Sequence, residues 1–164
     1  MKLKTVKRIF VTFTVNHLLS GVKFFNAKRK LLRSIGIEIG ENTKIVGPIY
    51  NSASLHIGDN CWIGKNLILN GNGAVYIGNN CDIAPEVTFL TGGHEIGDET
   101  RRAGKGQKYT IHVGDGTWIG ARSTLLGDIS VGKSCMIAAC ACVTRDIEDN
   151  TLCGGVPAKM IRKL

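Results

Sequence analysis

Proline is nearly missing from this sequence, with 3 in 164 residues. Aromatic side chains are also scarce, at 6%, which argues against a binding surface built from stacked rings. No uninterrupted apolar run reaches the roughly 18 residues of a membrane-spanning helix. Six cysteines are present but no C-x-x-C pair, which speaks against a zinc ribbon. No Gly-x-Ser-x-Gly element occurs, so nothing supports a serine acyl-enzyme. Acidic residues are missing from the whole N-terminal stretch, where nine basic side chains precede the first acid, Glu38. The remaining chain holds 12 basic and 13 acidic residues, so the net charge of +8 arises from the N-terminus. A basic start of this kind points to an acidic surface as its partner.

What is present is glycine, 21 residues of it, without the Gly-X-Y period of collagen. With 43% apolar and 21% charged residues, the chain has the composition of one folded domain. The glycines mark a six-residue repeat. Ile39-Gly-Glu-Asn-Thr-Lys, Ile57-Gly-Asp-Asn-Cys-Trp, Ile63-Gly-Lys-Asn-Leu-Ile and Ile77-Gly-Asn-Asn-Cys-Asp are followed, after a break, by Val113-Gly-Asp-Gly-Thr-Trp, Ile119-Gly-Ala-Arg-Ser-Thr and Val131-Gly-Lys-Ser-Cys-Met. Hexads open at 39, 45, 51, 57, 63, 69, 77, 83, 89, 113, 119, 125, 131, 137 and 143, and only Asn51 among these openers is not apolar.

One aliphatic per hexad predicts a coil of short parallel strands, with three hexads to a turn. The result is a triangular prism in which each opener points inward and stacks on its equivalent one turn later. Gly or Ala at the second place is read as freedom for a tight corner at positive φ. The spacing from Ile57 to Ile77 is two residues longer than the regular 18, so a bulge is expected near residues 71–75. Cys61, Cys81 and Cys135 occupy the fifth place, which points into a narrow interior. They are read as small buried residues in a reduced, cytoplasmic protein.

The phase is lost after His94 and regained at Val113. The intervening segment is polar and glycine-bearing, and a loop excursion is expected over 95–112. Long loops in a compact repeat are usually functional or disordered. His94 stands where the coil gives way to it. Acyl transfer from a thioester to a hydroxyl needs a base, and a histidine suits that task near neutral pH. From position alone the reading stays open between such a base and a structural histidine. His112, 18 residues further on, is read as structural, stacked near His94 if the loop counts as one turn.

The hexads, with the ending Gly154-Gly155-Val156-Pro157-Ala158-Lys159-Met160-Ile161, resemble the left-handed β-helix (hexapeptide-repeat) acyltransferases. The most similar group is the galactoside, maltose and nodulation O-acetyltransferases, with the sugar acetyltransferases of surface-polysaccharide synthesis. The resemblance covers residues 36–164 and is strongest over 77–94 and 113–162. It implies a mainly β, left-handed parallel β-helix forming a homotrimer, with active sites between neighbouring prisms.

It also implies roles. Thr91-Gly92-Gly93-His94 matches the family's catalytic histidine, so His94 is the expected general base. Acetyl-CoA is the implied co-substrate, with no metal. The positions matching the family's coenzyme A contacts are Trp118, Ala121, Ala139, Thr144, Arg145, Lys159 and Arg162. Small alanines let the pantetheine arm approach the backbone, and the cations pair with phosphates. The family's cofactor-contacting Asn falls on Gly64 here and is not carried over. For the acceptor the candidates are Asn72, near a family aspartate, and Asp82, in register between Trp62 and Trp118. The implied reaction is O-acetylation of a saccharide hydroxyl, with a saccharide or lipid-linked precursor of a cell-surface polysaccharide as acceptor. A serine or xenobiotic acetyltransferase is the nearest enzyme rival. A γ-carbonic-anhydrase-like metal enzyme and a non-catalytic scaffold are the rivals of other classes.

Residues 1–35 form a separate basic, amphipathic helical segment before the prism of 36–164. Two readings of it stay open: a cap over the exposed end of the prism, and a helix through residues 1–34 lying peripherally on the inner, anionic membrane face. No nucleic-acid motif is present, and nucleic acid is not an expected partner.

Overall fold

The computed structural model describes residues 2–164. Three parallel sheets form the faces of a prism. On the first face Ile39, Ile57, Ile77, Val113 and Val131 stand in one lateral row. On the second, Ile45, Ile63, Ile83, Ile119, Ile137 and Cys153 do the same. The third carries Asn51, Leu69, Phe89, Leu125 and Val143. Apart from Asn51, none of these residues is more than 5% exposed. Burying each large aliphatic contributes about 1.5–3 kcal/mol, so the six-residue phase and the core are the same fact. The two extra residues before Ile77 form the turn at 71–73, where Gly71 has φ 117°.

The corners correct one expectation. Positive φ falls on the fourth hexad place, at Asn42, Asn60, Asn66, Asn80, Arg122, Ser134 and Cys140 among others, and not on the glycines of the second place. Those glycines serve close approach instead. A Cβ on Gly64 would lie 2.7 Å from the Ala84 carbonyl carbon, and one on Gly114 would lie 2.6 Å from that of Gly132. Successive turns touch backbone to backbone at these points.

The fifth-place residues form a polar ladder inside the first corner. The Thr43 hydroxyl donates to the Gly58 carbonyl at 2.7 Å and accepts from the Cys61 N–H at 3.0 Å. Cys61 then donates to the Gly78 carbonyl at 3.1 Å, and Cys81 to Gly114 at 3.2 Å. Thr117 and Cys135 repeat the pattern. The cysteines are thus buried as expected, but they are also hydrogen-bond links interchangeable with threonine. Burial pushes the Cys153 thiol up to about 11, so that thiol stays protonated near neutral pH.

Two helices, α1 (Lys2–Phe13) and α2 (Phe25–Arg33), joined through a π-helical turn at Thr14–Leu18, meet the first turn of the prism. Asn16 donates to the Ile49 carbonyl and accepts the Ile49 N–H, both at 2.9 Å, which satisfies an otherwise bare strand edge. The fully buried Lys28 donates to the carbonyls of Gly21 (2.6 Å) and Val46 (3.0 Å). Desolvation lowers the pKa of its ammonium.

The excursion is an antiparallel hairpin, here called the arm, formed by Gly92–Ile96 and Ala103–Lys108. It begins earlier than the expected 95–112 and ends sooner. His112 lies beyond it in a coil strand, Thr110–Val113. There its ring stacks on Tyr76 (4.9 Å), which stacks on His56 (4.4 Å), rather than near His94.

Candidate active site

Thr91 closes the third face and holds the base of the arm. Its N–H donates to the Asn70 carbonyl at 2.7 Å, and its own carbonyl accepts the Tyr109 N–H at 2.9 Å. Two glycines follow, at positions where a side chain would be crowded, more so at the second. A Cβ on Gly92 would come within 3.3 Å of the Gly71 Cα, and one on Gly93 within 2.5 Å of the Tyr109 hydroxyl. Tyr109 therefore lies directly over the backbone that leads into His94, held by its hydrogen bond to Gln107 at 3.0 Å.

His94 is exposed, and its Nδ1 is 2.8 Å from the Gly104 carbonyl on the returning strand. A carbonyl only accepts, so Nδ1 carries the proton, and in the neutral imidazole the lone pair is then on Nε2. That is the tautomer a general base requires. Neither Tyr109 nor Gly104 was singled out in the sequence. Gly104 acts through its main chain and leaves no signal, whereas Tyr109 stood next to the point where the repeat resumes.

The other candidate residues fall into separate groups. Asn72 is exposed in the turn beside the arm, and a Cβ on Gly92 would meet its amide oxygen at 3.7 Å. Asp82 stands in register between Trp62 and Trp118 on the second face. These three line a shallow cleft of about 500 Å3 with Ala84 and Pro85. Phe25 of α2 packs edge-on against Trp62 at 5.9 Å, whereas Trp118 is 50% exposed. Ala121 and Ala139 sit one turn apart at the corner between the second and third faces, where the Cys140 N–H donates to the Ala121 carbonyl. Arg145 and Lys159 line a pocket of about 250 Å3 at the last turn, with Asp146, Glu148, Ile147 and Met160. Thr144, next to Arg145, and Arg162, on the final strand, are exposed outside it.

The single chain therefore brings Arg145 together with Lys159 and Asn72 together with the arm. It does not bring His94 to Trp118. The arm leaves the edge between the third and first faces, which is the edge opposite the second face. Among the described residues, no three His, Cys, Asp or Glu side chains cluster as metal ligands would.

Comparison with known proteins agrees with this architecture. The bacterial transferase hexapeptide (six repeats) family matches residues 110–145. Over 139 residues the chain is 32% identical to the galactoside O-acetyltransferase of Escherichia coli (strain K12), covering 84% of this chain and 68% of that protein. It is 30% identical over 138 residues to the galactoside O-acetyltransferase of Lactococcus lactis subsp. lactis (strain IL1403), covering 82% and 67%. A galactoside acetyltransferase solved in complex with coenzyme A aligns with a TM-score of 0.82 at 28% identity, over 99% of this chain and 81% of that one. The hexapeptide-repeat acetyltransferase VCA0836 of Vibrio cholerae, at 23% identity, shares the fold with a TM-score of 0.84 over 99% and 91% of the two chains. The prism is thus a left-handed β-helix, and by its relatives as by its repeats this chain belongs to the hexapeptide-repeat acetyltransferases.

Proposed function

We propose that the chain transfers the acetyl group of acetyl-CoA to a saccharide hydroxyl, with His94 as the general base. The observation that carries this is the Nδ1 hydrogen bond to Gly104, which in the neutral imidazole leaves the lone pair on Nε2 at the exposed base of the arm. The acceptor hydroxyl gives its proton to Nε2 as its oxygen attacks the thioester carbonyl. The tetrahedral intermediate then expels the coenzyme A sulfur, which takes that proton back from His94. No covalent acyl-enzyme is needed.

The residues fit the donor. Arg145 and Lys159 share a pocket and offer cations for phosphates beside the carboxylates of Asp146 and Glu148, with Arg162 and Thr144 exposed outside it. Ala121 and Ala139 keep a corner low for the pantetheine arm. Trp118 offers an exposed ring on the second face. Since His94 and Trp118 lie on opposite sides of one prism, the site is completed by a second copy, and the assembly we propose is a trimer. The arm supports this: Ile96, at its far end, is 90% exposed and lacks a neighbour of its own chain to cover it.

For the acceptor, both relatives named above are galactoside enzymes, which supports a sugar hydroxyl. Asn72 and Asp82 are the side chains we assign to it. Surface-polysaccharide synthesis on the cytoplasmic side, where acetyl-CoA is available, is the setting we propose. The test is release of free thiol from acetyl-CoA across a panel of sugars, serine and antibiotics. Sugar-dependent release that is lost in His94→Ala, with coenzyme A affinity retained, is the expected result. Release with serine or an antibiotic alone would overturn the acceptor class. Undiminished release in His94→Ala would overturn the base.

A further inference from the structure

Half of the large hydrophobic residues that the described chain leaves exposed lie within its first 24 residues. Leu3 (84%), Val6 (61%), Phe10 (66%) and Phe13 (53%) recur on α1 at the spacing of one helix face, and Ile9 widens that face. The helix is not loosely attached. Val11, near its C-terminal end, is buried, and in the π-helical turn that follows Val15 is buried and Asn16 is hydrogen-bonded both ways to Ile49. The apolar face is therefore held outward by an anchored helix. The turn that follows adds exposed Val22 and Phe24, with exposed Lys23 between them.

Charge selects the occupant. Lys4, Lys7 and Arg8 of α1 are exposed, and no acidic residue occurs before Glu38. We infer that α1 lies on an anionic lipid surface, with its apolar face in the acyl boundary and its lysines against the headgroup phosphates. A second copy fits less well. Pairing like segments sets the exposed Lys4, Lys7, Arg8 and Lys23 of one copy against those of the other, and the rest of the chain offers only 13 acids balanced by 12 bases. No helix among the described residues is long and apolar enough to cross a membrane, so contact of this kind is peripheral. It would hold the arm near lipid-linked saccharides, but it does not rest on the acetyltransferase reading.

The full chain is sedimented with phosphatidylcholine vesicles, with and without phosphatidylglycerol, at low and high salt. Protein pelleting with the anionic vesicles, and released by salt, is expected. Phe10→Ser/Phe13→Ser, whose sites are exposed, weakens that binding at least about tenfold while coenzyme A binding and the folded circular-dichroism spectrum stay unchanged. Lys7→Glu weakens it on anionic vesicles only. Wild-type protein that stays in the supernatant with both vesicles overturns the inference. So does equal binding by the double variant. A double variant that changes oligomer size instead of vesicle binding would assign the face to contacts between copies, and this too overturns it.

Discussion

Replacing Gly120 and Gly116 by alanine separates the two tasks that glycine performs in this coil. Gly120 occupies the second hexad place, and a Cβ there would stand 2.5 Å from the Ala139 nitrogen, 2.7 Å from the Ile137 oxygen and 2.9 Å from the Ala138 carbonyl carbon. All three are backbone atoms of the next turn, which cannot rotate away as a side chain does. The insertion costs about 3 kcal/mol or more, at the upper end for an overpacked core. Gly116 occupies the fourth place, with φ 70° and its nearest obstacle, the Ser134 hydroxyl, at 3.5 Å. Alanine there has room and suffers only the left-handed conformation, about 1–2 kcal/mol. Asparagine, which holds the same place at residues 42, 60 and 80, costs less than alanine. In thermal unfolding each kcal/mol moves the midpoint by roughly 2–4 °C for a chain of this size. The expected order of midpoints is wild type, Gly116→Asn, Gly116→Ala and, well below, Gly120→Ala. If Gly116→Ala lowers the midpoint as much as Gly120→Ala, the close-approach argument is wrong.

Other outcomes follow from the site and the cap. His94→Ala lowers the rate of acetyl transfer by about 10²–10⁴-fold with little change in coenzyme A affinity, read by steady-state kinetics and calorimetry. Gly93→Ala forces Tyr109 off the backbone before His94, so activity falls, and Gly93→Ala/Tyr109→Ala recovers stability relative to the single variant; a double variant no more stable than Gly93→Ala rejects the clash. Arg145→Ala and Lys159→Ala each weaken coenzyme A binding, measured by calorimetry, by about tenfold as a charge-assisted contact is lost. Burial lowers the Lys28 pKa, so the unfolded chain binds that proton more readily than the folded chain. Stability therefore gains from this residue as pH rises from its folded pKa towards the unfolded value of about 10.4, and Lys28→Met flattens that part of the profile in denaturant titrations.

Much of the coil was legible because each opener has one place to go. An aliphatic that recurs every six residues can be buried only if the chain turns at each corner, so Ile57, Ile77 and Val113 had to align. Asn51 breaks the pattern at the first turn, where its main-chain carbonyl accepts from Arg8 of α1 and its side chain accepts the Ala53 N–H. The corner chemistry was less legible. Glycine marks both positive φ and tight contact, and only the asparagines at the fourth place reveal which residue carries the left-handed angle. The base of the arm was found through one histidine and two glycines, but not the carbonyl of Gly104 that sets the imidazole tautomer. Nor does one chain's repeat say which face would meet which in the trimer proposed above, where a neighbouring copy would bring Trp118 to His94.

The arm interrupts the sequence of the coil without interrupting its hydrogen bonds. Val75 pairs with Ile111, and Ile77 with Val113, across 36 residues of chain, as closely as Leu55 pairs with Val75 across 20. Where the arm leaves, Thr91 and Tyr109 close the gap between them. The strands before and after it would meet in the same register whatever the tip contained. Variation at the tip is thereby uncoupled from folding of the prism, so the length and sequence of the tip can change while the scaffold beneath it stays intact.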